Sequence, residues 1–172
     1  MAENGRKNGQ DFSKGEWIVH LYHGIGQIKG VEKKQLNGKE RKYYRVKTHN
    51  SVFWVPVEKA DSDRIRLLTS KTKFRKALQV LKRPPRELSS NHLERKSLIW
   101  EAKKDGSVEP MLRIVRDLTA RQTQSKLNTT EKRALDGFKD RLLLEWAASM
   151  GIELDEARQR LEKRLQPLES AD

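Results

Sequence analysis

Apolar residues recur with a two-residue period through residues 15–57 and with a three-to-four-residue period through residues 69–166. The first period is that of strands and the second that of helices. Trp17, Val19 and Leu21 alternate with Ile18 and His20, so residues 15–32 predict one or two strands with apolar character on both faces. Gly24 and Gly26 flank Ile25, where a bulge or sharp bend is expected. Residues 33–42 read as a basic hairpin arm turned by Asn37-Gly38, the strongest short hairpin signal. Residues 43–48 and 51–57 follow as strands, joined by a turn at 48–51. Pro56 has no donor and belongs on an edge or at a strand end. Ile65 to Leu68 adds a last short strand. Strands this short, with turns this tight, predict a small half-open barrel.

From Thr69 or Ser70 the helical period takes over. Phe74, Ala77, Leu78 and Leu81 form one apolar face, and Arg83-Pro84-Pro85-Arg86 ends that helix as a linker. A second helix starts at Ser90 or Asn91 and runs to about 104. Its expected buried stripe is Leu98, Ala102 and either Leu93 or Ile99, with Trp100 packed in the core. Val108, Met111, Leu112, Val115 and Leu118 give a third helix. Asn128 with Glu131 is capping-box-like and opens a long fourth helix through Phe138, Leu142 and Trp146, stopped at Gly151. Leu154, Ala157, Leu161 and Leu165 give a fifth. The expected fold class is therefore α+β, multi-domain: a flexible tail over 1–12, a half-open β-barrel over 13–68, and an all-α compact helical bundle over 69–172. Phe12 is the first residue expected to pack.

Charge changes this picture more than size does. Of 172 residues, 35% are charged and the net charge is +13, so the cores are small and the surface is strongly basic. The excess is uneven. Residues 69–104 hold 11 basic and 3 acidic side chains, whereas residues 105–172 hold 12 and 13. A positive segment of this kind fits a polyanion, nucleic acid above all, or a solvated helix face. Cysteine is absent, which excludes disulfides and thiolate metal sites. No apolar run is long enough for a membrane span and the first residues lack a signal-peptide core, so a cytoplasmic location is expected.

Motifs for catalysis are missing. There is no phosphate loop, no metalloprotease helix and no nucleophile elbow. His20 and His23 lie close in sequence but lack a third ligand, so a structural role is favoured over a metal site. No enzyme activity, cofactor or metal is expected. The alternation through Val52-Phe53-Trp54-Val55 carries a sharper message, because Phe53 and Trp54 cannot both point inward. One of them is left for a partner or a neighbouring domain.

Residues Gly15-Glu16-x-Ile18-Val19-His20-x-x-His23-Gly24-Ile25-Gly26, Gly30, Gly38, Tyr43 and Val55-Pro56-Val57, in that order, resemble the polymerase-interacting domain shared by CarD-type (CdnL-type) bacterial transcription factors and the transcription-repair coupling factor. Residues 69–166 resemble the helical C-terminal domain of the CarD type, through the helix ending before Arg83-Pro84, the Asn91 start, Ile114-Val115-Arg116-Asp117-Leu118 and Thr130-Glu131-Lys132-Arg133. The sequence carries no helicase motor, which favours the stand-alone factor. The resemblance implies a Tudor-like domain docked on the β subunit of bacterial RNA polymerase, with Lys34, Leu36, Phe53 and Trp54 at that face. It implies a helical domain touching promoter DNA at the upstream edge of the −10 region and stabilising the open complex, with Arg86, His92, Arg95 and Lys96 as contacts. Family members often carry arginine where Trp54 stands, and a DNA-wedging tryptophan where His92 stands. The expected protein is a monomer that reaches the nucleoid through polymerase. The other reading is an adaptor whose helical domain binds a protein and has no DNA role; a crosslink from Arg95 or Lys96 to promoter DNA separates the two.

Overall fold

The computed structural model describes residues 11–59 and 64–166. The expected tail lies outside the described residues up to residue 10. Phe12 is already packed: its backbone N–H donates to the Tyr44 hydroxyl at 3.0 Å and its ring meets Tyr44 edge-on at 5.6 Å. The chain divides into two compact units between Leu68 and Thr69.

The first unit is one antiparallel sheet, five-stranded among the described residues. Its strands are β1 (Trp17–His20), β2 (Gly24–Leu36), β3 (Lys39–Lys47), β4 (Val52–Pro56) and β5 (Ile65–Leu67), in the order β4-β3-β2-β1-β5. The sheet is open, with β4 and β5 as its two edges, which is the half-open form expected. Pro56 closes edge strand β4, where its missing donor breaks no ladder. The arm over 33–42 is not a loop: β2 and β3 pair continuously out to Leu36 and Lys39. Asn37 (φ 54°) and Gly38 (φ 74°) turn it, both left-handed as a two-residue hairpin of the mirror type demands.

Gly24, left-handed at φ 77°, opens β2 straight after the turn at 21–23, as the glycine pair predicted, but the irregularity of the ladder lies further on. Gly26 serves a close approach instead, since a Cβ there would stand 2.5 Å from Val46 Cγ1. The register shift falls between Ile28 and Gly30, with Ile28 opposite Val46 but Gly30 opposite Arg45. Gly30 has φ 150°, which L side chains rarely adopt. Before the bulge, Ile28 joins the core of Phe12, Ile18, Tyr44, Val46, Phe53 and Val55. Beyond it the parity reverses. Glu32, Lys34 and Leu36 share the face of Arg45, away from that core.

The second unit has five α-helices among its described residues: α1 (Lys71–Leu78), α2 (His92–Asp105), α3 (Val108–Gln124), α4 (Thr129–Met150) and α5 (Leu154–Leu165). Its ends follow the local chemistry. Ser70 caps α1 by accepting from Lys73 N–H, and Asn91 caps α2 by accepting from Leu93 N–H. Asn128 and Glu131 form the reciprocal capping box of α4, and Gly151 stops it in the left-handed region at φ 67°. The core centres on Phe74, Leu112, Val115, Phe138, Leu142 and Trp146. Ser149 Oγ donates to Thr69 O at 2.7 Å and Thr69 Oγ1 donates to Glu145 Oε1 at 2.6 Å, securing the start of the unit to α4.

Helix α2 departs from expectation. It buries Ile99 and Ala102 as expected, but Arg95 completes the stripe, while Leu98 stands at the surface and Trp100 is 59% exposed rather than packed. The physical reason is Arg95. Its buried ion pair with Glu131 rotates α2 so that the stripe at 95, 99 and 102 faces inward.

Gly30→Ala tests the bulge. A side chain at φ 150° costs about 1–3 kcal/mol, and the loss should appear as faster native-state hydrogen exchange of β2 and β3 amides. Unchanged protection would show that the bulge does not need glycine.

Candidate partner-binding faces

On the outer face of the sheet, Trp54 lies directly opposite Arg45, and β2 brings Glu32 and Lys34 beside it. Trp54 Nε1–H donates to Glu32 Oε2 at 2.8 Å. Arg45 Nε stands 3.5 Å from Glu32 Oε1. The Lys34 ammonium lies 3.2 Å from the centre of the Trp54 ring. Glu32 thus orients the indole edge while Lys34 covers one of its faces, and Trp54 remains 41% exposed. Such pairs contribute only about 0.5–1 kcal/mol each at a surface. Their consequence is a bias of the large aromatic toward this orientation, which lowers the entropy lost on binding. Leu36, 54% exposed, extends the same face toward the hairpin end.

Phe53 is not on this face. It is buried against Val46 and Val55, with the His23 ring stacked on it at 4.7 Å and His20 edge-on at 5.5 Å. The alternation expected for Phe53 and Trp54 therefore holds, and it separates Phe53 from Lys34, Leu36 and Trp54. His20 Nδ1 accepts from the backbone N–H groups of Tyr22 and His23 at 3.1 and 3.2 Å, so it shapes the turn after β1. Among the described residues no group of three His, Asp or Glu could hold a metal ion. Alternation in the sequence could not have grouped Glu32 with Trp54, because the bulge sets the parity of β2 beyond Ile28; Arg45 meets Trp54 through the regular β3–β4 register.

In the helical unit, His92 and Lys96 are exposed on the first turns of α2. Arg86 is exposed in the segment before α2, but its backbone N–H donates to Asp117 Oδ1 at 3.0 Å and its Nε lies 3.5 Å from Asp117 Oδ2. Asp117, itself buried, also accepts from Arg116 Nε at 2.7 Å, and Arg116 reaches Val80 O at 3.0 Å. The segment after α1 is thereby pinned to α3. Arg95 does not join the exposed set. It is 7% exposed, paired with Glu131, and donates to the carbonyls of Ser89 and Ser90 at 2.7 and 2.8 Å. Its guanidinium holds the approach to α2, and with it the placement of His92.

Burial alone would raise the Glu131 carboxyl. The Arg95 hydrogen bond, the Asn128 backbone N–H and the charges of Arg95 and Arg121 outweigh it and hold the group below its ordinary value of 4.5. A depressed folded value means the pair's stabilisation is complete above pH 4.5 and is lost as pH falls through that lower value. Glu131→Gln should therefore flatten the acid limb of the helical unit's stability and cost about 3 kcal/mol at neutral pH, because Arg95 stays buried without a counter-charge. Urea unfolding across pH checks this; an acid limb as steep as that of the unaltered chain would assign it to other carboxylates.

Both units match known families. Residues 12–69 match the family described as CarD-like/TRCF RID domain, and residues 76–162 match the CarD, C-terminal domain family. A protein of Bacillus subtilis (strain 168) named "Putative transcription factor YdeB" is 26% identical over 143 residues, spanning 82% of this chain and 94% of that protein. The open sheet and the capped helical unit that follows it thus have matches in the same order along the chain, and no helix among the described residues is long and apolar enough to cross a membrane. The chain belongs to the CarD-like transcription factors, regulators that interact with RNA polymerase and are not enzymes.

Proposed function

We propose that the chain docks on the β subunit of RNA polymerase through the outer sheet face of Lys34, Leu36 and Trp54. Its helical unit contacts promoter DNA near the upstream edge of the −10 region and stabilises the open complex. The observation that carries the reading is the exposed Trp54, contacted by Glu32 and Lys34 on the sheet face opposite the Ile18, Ile28 and Phe53 core. An exposed tryptophan at the centre of such a face is of the residue type enriched in interface hot spots. Phe53, with His23 stacked on it and His20 edge-on, supports that strand from behind. On the DNA side, the net charge of +8 over residues 69–104 favours phosphate contact, with Arg86, His92 and Lys96 exposed and Arg95 positioning them. Phosphate contacts give affinity with little sequence information, which suits a factor acting at many promoters.

Two measurements test the halves separately. Trp54→Ala in the full chain should weaken binding to purified polymerase β subunit about tenfold or more; binding at the unaltered level would remove this face. Affinity for duplex promoter DNA should fall steeply with salt, and Lys96→Ala should reduce the slope of log affinity against log salt by about one. A flat salt dependence would leave the helical unit as a protein-binding adaptor domain.

A further inference from the structure

Helix α2 sorts its exposed residues by chemistry. At 100° per residue, His92, Leu93, Lys96, Trp100, Lys103 and Lys104 fall within about 120° of arc. The acidic Glu94, Glu101 and Asp105 lie on the remaining exposed arc. Within the basic arc, Leu93 is 61% and Trp100 59% exposed. Lys104 Nζ lies 5.1 Å from the centre of the Trp100 ring. A large indole left in water on a stripe of lysines is not explained by the core, which α2 serves through Arg95, Ile99 and Ala102.

We propose that Trp100 is a base-stacking residue, and that the α2 face of Leu93, Lys96, Trp100 and Lys104 takes DNA whose bases are unpaired. This rests on the reading that the helical unit contacts DNA, and deepens it by naming the group that meets the bases. The chemistry favours such an occupant. An aromatic face gains by stacking only on a base whose own face is open, and a paired duplex conceals those faces. The neighbouring lysines match the phosphates on either side of an unstacked base. His92, at the start of the helix, then contributes polar contact and not the stacking surface.

The test uses the full chain and three labelled DNAs of one sequence: a duplex, the same duplex with an unpaired central bubble, and a single strand. Binding is read by fluorescence anisotropy at one salt concentration. The unaltered chain should bind the bubble about tenfold tighter than the duplex, the size expected of one stacked base. Trp100→Ala should abolish that preference while leaving duplex affinity and its salt dependence within about twofold, and Trp100→Phe should retain part of it. Because Trp100 is exposed, the melting temperature of each variant should stay at that of the unaltered chain, which separates contact from folding. Equal loss on duplex and bubble, or no loss on either, overturns the proposal. Loss of polymerase binding alone in Trp100→Ala overturns it too, by giving the face to a protein. Salt-dependent duplex binding without a bubble preference sinks this inference only; no binding to any of the three DNAs sinks the DNA reading as well.

Discussion

The bulge between Ile28 and Gly30 is the constraint on which the outer face of the sheet depends. A strand presents alternate residues to alternate faces, so one inserted residue exchanges the two sets for the rest of its length. Ile28 points into the core opposite Val46, and two positions later Gly30 pairs with Arg45 on the other face. Every side chain out to Leu36 inherits that change. Without the insertion, Glu32, Lys34 and Leu36 would continue on the face of Ile28, and Trp54 would lose both the acceptor for its N–H and the ammonium over its ring. A single glycine at φ 150° permits the insertion.

The helical unit solves a comparable problem with buried charge. The segment between α1 and α2 contains Pro84 and Pro85, which remove two backbone donors, and it has little apolar surface of its own. Asp117 and Arg116 reach it from α3 through Arg86 N and Val80 O, while Arg95 reaches it from α2 through the carbonyls of Ser89 and Ser90. Buried ion pairs add little net stability compared with apolar replacements, but they impose directional geometry. Here that geometry sets where Arg86 and His92 emerge. It also sets the rotation of α2, because the pairing of Arg95 with Glu131 requires that arginine to face inward. Trp100 is exposed as a consequence of the same pair. Its placement on a lysine-rich arc gives the unit a second chemistry beside charge.

Much of this protein was determined by local sequence alone. The Asn37-Gly38 turn, the Asn128–Glu131 capping box and the Gly151 stop each depend on a few neighbouring residues, and each appears as their chemistry requires, while Ser70 and Asn91 are each one of two cap candidates that the sequence offered. The three-to-four-residue stripes of α1, α3, α4 and α5 were equally legible, since apolar residues there leave one face for burial. The exposure of either Phe53 or Trp54 followed from alternation, a property of any strand. Tertiary structure decided which face each set served. Alternation could not reveal the parity change at Gly30, because a bulge is defined by the partner strand. Hydrophobicity gave Ile99 and Ala102 of the α2 stripe but not its third member, because a buried arginine takes the place expected for Leu98 once Glu131 of α4 supplies the counter-charge. Residues distant in sequence decided both cases: a register across strands in one, and a salt bridge between helices in the other.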